Sequence, residues 1–171
     1  MAFPTEIALS LPTHEVVFRL GVATVVGAII GLNRELRHKP AGLRTQALVT
    51  LGAAVATLVI SELAAVGGGY DVSAISRVIQ GVLTGVGFLG GGVILRDPHE
   101  TQVHGLTTAA SIWISSTLGL ACGVGLWRLA LAVTLLTLAV LHIGIWIEKA
   151  FRRFGPGEPS PTEERRPPLN P

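Results

Sequence analysis

Five long stretches of the sequence contain no Asp, Glu, Lys or Arg, and this feature constrains the fold more than any other. A helix needs about 20 mostly apolar residues to cross the hydrocarbon core of a bilayer. The stretches are Leu20–Asn33, Thr45–Ser61, Val78–Leu95, Thr101–Trp127 and Leu129–Ile147. We therefore predict an all-α, polytopic membrane protein, a bundle of five transmembrane helices at about 14–32, 43–64, 74–95, 103–124 and 126–147.

The composition excludes the common soluble classes. Charged residues make up 14% of the chain, whereas soluble domains carry about 25%. A disordered chain needs the opposite bias, with high charge and low hydrophobicity. The single cysteine, Cys122, rules out a disulfide scaffold, and packing is its expected role. Five spans use about 100 residues, which leaves no room for a folded soluble domain.

The positive charges predict how the chain is oriented. We expect residues 1–13 to be an N-terminal segment, 14–147 the transmembrane domain, and 148–171 a disordered tail rich in proline, arginine and glutamate. Ten of the thirteen Lys and Arg residues fall in the first and third connections or in the tail. Positively charged loops stay on the cytoplasmic side, so the N-terminus is predicted outside and the C-terminus in the cytoplasm. The basic surplus thus reflects orientation in a lipid bilayer, and no nucleic-acid partner is predicted.

Glycine is enriched, at 21 of 171 residues, and recurs at intervals of four inside the predicted spans. Lipid provides no hydrophobic drive between helices, and small residues four apart let two backbones approach. We therefore predict a tight bundle, and a homo-oligomer is a further expectation. The glycines expected at helix contacts are Gly27, Gly31, Gly81, Gly85, Gly87, Gly90 and Gly91, together with Gly119 and Gly123.

Polar residues at helical spacing form faces on three of the spans. Steps of three and four residues return to the same side of a helix. Two interpretations remain open: hydrogen bonding between helices, or a polar path or ligand cavity if the three faces converge. The faces comprise Gln46, Thr50, Thr57 and Ser61 on the second helix; Arg77, Gln80 and Thr84 on the third; and His104, Thr108, Ser111 and Ser115 on the fourth.

Charged residues near the ends of spans are expected at the membrane interfaces. Glu62 and Arg77 are predicted near the outer boundary, where they can form a pair. Arg44 and Asp97 are predicted near the inner boundary, where they would bracket a cytoplasmic mouth. The alternative for the arginines is that their side chains extend to lipid headgroups.

The motifs that point to enzyme chemistry or to a bound cofactor are weak. Gly85–Gly90 matches the dinucleotide fingerprint literally, but that motif needs a preceding strand and a later acidic residue, and here it lies inside a predicted span. The five histidines are not spaced for zinc. Asp97 and Glu100 are weak candidates for a magnesium site, because Mg²⁺ uses one or two carboxylates and several waters; a solvated loop is the simpler interpretation. We therefore predict neither an enzyme nor a resident cofactor.

Three short segments occur in a fixed order along the chain. They are Gly31–Glu35 with Ala41–Thr45, then Gly85–Ile94, and then Val103–Ala110 with Trp113. Together these segments resemble the membrane domain of the MgtC/SapB family, over about residues 14–147. The resemblance implies a multi-pass protein of the bacterial inner membrane, linked to growth in low magnesium and, in pathogens, to survival inside host cells.

The resemblance also implies what the protein acts on. Better-studied members look like regulators of other membrane proteins, including the ATP synthase and magnesium pumps, whereas older descriptions made them magnesium transporters. Virulence-type members carry a soluble domain after the fifth helix and can have Asn at the position of Thr107. This chain ends in a short tail, so it resembles the shorter SapB-type branch, and neither ligand sensing by such a domain nor a virulence role is carried over.

Two hypotheses of different classes follow. The first is a non-enzymatic regulator that binds another membrane protein through its helices. The second is a transporter or channel in which Mg²⁺ or another cation is the transported rather than the sensed ion. Ionisable residues inside a span usually mark an ion path, and the middle of each predicted span has none, which favours the regulator. The run Gly90–Gly92 could still break the third helix and expose carbonyl groups to an ion.

We expect the third and fourth helices to be the functional ones. Thr107, Thr108 and Trp113 are predicted to line their shared polar face, and the glycines of the third helix are predicted to permit close contact.

Overall fold

The computed structural model describes residues 10–66, 71–96 and 103–154. Over these ranges, five helices are long enough and apolar enough to cross a membrane, which confirms the predicted all-α, multi-pass membrane protein. The elements in chain order are α1 (Thr13–Glu35), α2 (Leu43–Val66), α3 (Val72–Val93), β1 (Leu95–Arg96), β2 (Val103–His104), α4 (Leu106–Gly123) and α5 (Trp127–Phe154).

Local sequence signals account for two of the helix ends. The side chain of Asp71 accepts a hydrogen bond from the backbone N–H of Ala74 at 3.1 Å and so caps the start of α3. At the end of α4, Gly125 adopts a left-handed φ of 93°. The Leu126 N–H then donates back to the carbonyl of Ala121 at 2.8 Å, as in a Schellman ending.

The connection between α3 and α4 differs from the prediction. The ranges 74–95 and 103–124 were expected to be helical, but β1 and β2 pair antiparallel there, with Leu95 opposite His104. Gly105 explains the difference: its φ is 90°, and a side chain at this position would meet the carbonyl oxygen of Val93. His104 therefore lies in a strand and is exposed, not on the polar face of α4.

Two helices continue by three or more residues beyond their predicted ends. The first was expected to stop at residue 32, but α1 reaches Glu35, so Arg34 is helical rather than part of a loop. The fifth was expected to stop at 147, but α5 reaches Phe154, so residues 148–154 of the predicted tail are helical. In both cases a charged residue ends an apolar run without ending the helix. The expectations for residues 1–9, 97–102 and 155–171 fall outside the described residues.

Helix α2 packs between α1 and α4, and glycines make both contacts close. A Cβ atom at Gly31 of α1 would lie 2.6 Å from the Cα of Leu43. Gly27 of α1 and Gly119 of α4 both adjoin Thr50, through its hydroxyl and its carbonyl oxygen respectively. The three backbones are therefore in direct contact, and the buried residues around them are mostly small: Ala23, Val26, Ile30, Ala54, Leu118, Cys122 and Ala130.

The chain divides into two compact units, residues 1–138 and 139–171. The first contains α1 to α4 and the beginning of α5, where the ring of Trp127 meets that of Phe18 edge-on at 5.7 Å between centroids. In the second unit, the described part is the remainder of α5, to Phe154.

Candidate functional site

A buried arginine lies at the end of α1. Arg34 is only 3% exposed. Its Nη2 donates to the hydroxyl of Thr108 on α4, and its Nε donates to the carbonyl oxygen of Pro40 at 3.2 Å. Within the described ranges, no carboxylate lies within 4 Å of this guanidinium. Neutral oxygen atoms from two different parts of the chain thus hold the buried charge.

Gln46 extends this arrangement to α2. Its Nε2 donates to the Ser111 hydroxyl of α4 at 2.9 Å, and that hydroxyl donates to the carbonyl oxygen of Thr108 at 2.7 Å. All four side chains are buried. We call Arg34, Gln46, Thr108 and Ser111 the buried polar cluster; it joins α1, α2 and α4 at the end of the bundle where α1 meets α2.

The cluster also fixes the connection between α1 and α2, residues 36–42, which we call the α1–α2 turn. Besides the Arg34–Pro40 bond, Glu35 Oε2 accepts from the N–H of Leu43 at 2.9 Å. His38 and Ala41 adopt left-handed φ values of 51° and 56°, which residues other than glycine rarely adopt. Such conformations persist only where the surrounding structure over-determines them, so this turn is held in one conformation.

Three buried polar atoms have no hydrogen-bond partner in the part of the chain that the structure describes. They are Gln46 Oε1, Ser115 Oγ and Ser116 Oγ. A buried group without a partner costs about 1–3 kcal/mol. The interior of the bundle therefore contains polar groups whose hydrogen-bonding capacity is not fully used.

The three polar faces do not converge. Those of α2 and α4 meet at the buried polar cluster, but Gln80 and Thr84 of α3 are exposed. Their side chains bond within α3: Gln80 Nε2 to Ser76 Oγ at 3.3 Å, and Thr84 Oγ1 to the Gln80 carbonyl at 2.8 Å. Among the described residues, one copy of the chain therefore forms no polar path lined by all three helices.

The glycines of α3 differ in the same way. Gly90 is buried, and a Cβ there would lie 3.5 Å from the Cβ of Ala109 on α4. A Cβ at any of the remaining five would meet nothing within 4 Å; these are Gly81, Gly85, Gly87, Gly91 and Gly92. They do not pack against the other described residues.

Other predicted site residues lie apart from the cluster. Thr107 and Trp113 are exposed, Trp113 at 47%, although their neighbour Thr108 is buried. Arg44 is exposed as well. Asp97 and Glu100 lie outside the described residues. In the part of the chain that is described, no three His, Cys, Asp or Glu side chains are grouped so as to hold a metal ion.

The predicted pair of Glu62 and Arg77 is wrong. Glu62 Oε2 accepts from the N–H of Ser10 at 2.5 Å, from its hydroxyl at 2.9 Å, and from the N–H of Leu11 at 3.3 Å. Arg77 instead donates to Ser73 Oγ at 2.6 Å. The residues before α1 therefore provide the hydrogen-bond donors for the Glu62 carboxylate.

Sequence reasoning missed Arg34 as a site residue. The signal that could have found it is its spacing, because Ile30 and Gly27 lie four and seven positions earlier and share one side of a helix with it. Both are buried. Extending that face by one turn places Arg34 inside the bundle.

Comparison with known proteins agrees with this architecture. The family model described as the MgtC family matches residues 20–150. The chain is 46% identical to SrpB of Synechococcus elongatus over 130 residues, which are 72% of this chain and 71% of SrpB. It is 35% identical to SapB of Bacillus subtilis over 149 residues, 83% of this chain and 60% of SapB. It is 36% identical to YhiD of Escherichia coli over 138 residues, 77% of this chain and 61% of YhiD.

The chain thus spans less than two thirds of the length of SapB and of YhiD. No solved structure matches it significantly. The family match covers four of the five spans completely and the first from residue 20 onward. On this evidence, the chain belongs to the MgtC family.

Proposed function

We propose that the protein is a non-enzymatic regulator in the bacterial inner membrane that acts on other membrane proteins in magnesium homeostasis. The observation that carries this proposal is the orientation of α3. Its apolar side faces the bundle, and its glycine and polar side faces away. The candidate partners, by family resemblance, are the ATP synthase and magnesium pumps.

The two sides of α3 can be distinguished by burial. The buried and half-buried side consists mainly of branched apolar residues: Ile75, Val78, Ile79, Val82, Leu83 and Val86. Gln80, Gly81, Thr84 and Gly85 are exposed on the other side, together with Phe88. In a bilayer, a surface rich in small and polar residues is typical of contact between helices. A helix of another protein would cover this surface.

Packing in the rest of the bundle also supports a regulator. The backbones of α1, α2 and α4 touch at Gly27, Gly31 and Gly119. Mg²⁺ gives up its waters reluctantly and usually keeps several of them, and close backbone contact leaves no room for a hydrated ion there. Helix α3 also runs unbroken through Gly92 to Val93, so the glycine run does not interrupt it in mid-span.

The second candidate function is transport of Mg²⁺ or another cation. The observation in its favour is that YhiD carries a name that provisionally describes it as a magnesium transporter. Ion flux into proteoliposomes of the purified protein separates the two functions. If the protein is a regulator, it should give no protein-dependent Mg²⁺ uptake. Saturable uptake would establish that it is a transporter.

The orientation in the membrane is part of the proposal. Arg34 near the end of α1 bonds Thr108 near the start of α4, as expected if the α1–α2 and α3–α4 connections lie on one side. Positive charge favours the cytoplasm for that side. A phosphatase fusion after Pro171 should be inactive, and a fluorescent-protein fusion at the same place should be bright. The opposite pattern would show that the C-terminus lies outside the cytoplasm.

A pair of matched variants tests the role of α3. In Gly85→Leu the new Cβ has no atom of the other described residues within 4 Å, so the substitution should preserve the fold but obstruct the exposed side of α3. Gly52→Leu adds the same bulk on α2, also in open space. Gly85→Leu should abolish co-purification with the ATP synthase or a magnesium pump and impair growth in low magnesium, while Gly52→Leu does neither. Equal behaviour of the two variants would contradict the proposal.

A further inference from the structure

We propose that the α1–α2 turn is a binding site for the phosphate group of an anionic membrane phospholipid. The sequence concentrates positive charge here: Arg34, Arg37, Lys39 and Arg44 lie within eleven positions, with one acid, Glu35, among them. The Glu35 carboxylate accepts from the N–H of Leu43 and keeps its negative charge. With four cations against this one acid, the net charge of the stretch is positive.

The cations at the opposite end of the bundle provide a contrast. There Arg19 pairs with Glu15 at 2.8 Å, Arg77 faces Asp71 at 3.8 Å, and Arg128 stacks on a tryptophan ring at 5.1 Å. Lys39 of the α1–α2 turn and Arg44 at the start of α2 are exposed. Neither side chain has a hydrogen bond or ion pair to any described residue. These two charges are available to an external anion.

Hydrogen bonds from within the chain support the backbone of the turn. The carbonyl oxygen of Pro40 is held by the buried Arg34, and the N–H of Lys39 donates to the carbonyl of Arg34 at 3.0 Å. His38 and Ala41 are kept in left-handed conformations. A surface that is already ordered loses less conformational entropy on binding, and non-glycine residues kept in this region often mark a ligand site.

The position of the turn favours a lipid over a soluble anion. It connects two membrane spans and therefore lies at the depth of the headgroups. Leu36 is 73% exposed beside the cations, and Leu43 is exposed at the start of α2. A lipid offers a phosphate for Lys39 and Arg44, whose side chains bind phosphate oxygens, and acyl chains for the leucines. A free phosphate offers only the first.

The test is thermal unfolding of the full chain in neutral detergent, with added phosphatidylglycerol, phosphatidylcholine or inorganic phosphate. Phosphatidylglycerol should raise Tm, and the other two should leave it unchanged. The double variant Lys39→Gln/Arg44→Gln, which removes no hydrogen bond of the described structure, should lose most of this rise. The matched control Arg77→Gln/Arg128→Gln should retain it. Native mass spectrometry should show bound phosphatidylglycerol on the wild type and the control, and less on the Lys39→Gln/Arg44→Gln protein.

Three results would overturn the proposal. An equal rise with phosphatidylcholine would show that the effect needs no anionic headgroup. An equal rise with inorganic phosphate would assign the site to a soluble anion. An undiminished rise in the Lys39→Gln/Arg44→Gln variant would place the lipid elsewhere on the protein. None of these outcomes depends on whether the protein has a protein partner.

Discussion

Arg34 of α1 donates a hydrogen bond to the hydroxyl of Thr108 in α4, across 74 positions of sequence. The contact joins the end of the first helix to the start of the fourth, and both residues are only 3% exposed. A buried guanidinium must be satisfied by nearby acceptors, because an unpaired buried charge is costly. This bond therefore helps to set how α1 and α4 pack on either side of α2.

Thr108→Val should destabilise the protein, because valine keeps the shape of threonine but removes the acceptor for Arg34. Loss of one partner of a buried bond costs about 1–3 kcal/mol, and more when the remaining group is charged. Thermal unfolding in detergent measures the effect. Thr107→Val is the control, since Thr107 is exposed and its replacement should change little. Equal Tm values for the two variants would argue against a structural role for the Arg34–Thr108 bond.

Ser115→Ala and Ser116→Ala should leave the stability unchanged or raise it. Both hydroxyls are buried and have no partner among the described residues, so removing them also removes a desolvation cost. Ser111→Ala should have the opposite effect, because the Ser111 hydroxyl accepts from Gln46 and donates to the Thr108 carbonyl. The comparison is of three Tm values. A lower Tm for Ser115→Ala than for Ser111→Ala would mean that the Ser115 hydroxyl makes a stabilising hydrogen bond.

Gly119→Ala should destabilise the contact between α4 and α2. The new Cβ would meet the carbonyl oxygen of Thr50 and lie 2.9 Å from the Cβ of Ala53, so the backbones would have to separate; overpacking of this kind costs about 1–3 kcal/mol. Gly52→Ala is the matched control, because nothing lies within 4 Å of its Cβ, and alanine is favoured over glycine in a helix by about 1 kcal/mol. In chemical denaturation, the free energy of unfolding should fall for Gly119→Ala and rise for Gly52→Ala. A shift in the same direction for both variants would contradict the tight contact.

Glu62→Ala should release the residues that precede α1. The backbone N–H groups of Ser10 and Leu11 both donate to this carboxylate and would lose their acceptor. Faster hydrogen exchange at these two amides, with little change in the rest of α1, is the expected result. Arg77→Ala should leave the exchange rate of these amides unchanged, because Arg77 does not pair with Glu62. An equal increase in both variants would instead support the Glu62–Arg77 pair predicted from the sequence.

The number and approximate position of the helices could be predicted because charge-free runs and bilayer thickness determine them. Their ends could not be predicted from charge alone. Gly105, with its left-handed φ, and the short β1–β2 pairing end α3 at Val93 and move the start of α4 to Leu106. Arg34, by contrast, remains helical because the bundle provides acceptors for it. Such acceptors belong to residues distant in sequence, and no local pattern reveals them.

The candidate site was predictable in part. Helical spacing correctly grouped Thr108 with Ser111, which are both buried. It could not show that the corresponding face of α3, with Gln80 and Thr84, points away from them. The spacing of polar residues defines a face, but only the packing of the whole bundle decides what that face contacts.

Site-specific photo-cross-linking from position 88 in living cells tests the central claim most directly. Phe88 is 84% exposed on α3, so a photoreactive side chain there samples whatever covers the glycine and polar side. We predict a product with another membrane protein that is lost when Gly85→Leu is added and retained when Gly52→Leu is added. A product that contains only lipid or a second copy of this chain, or one that Gly85→Leu does not diminish, would contradict the account.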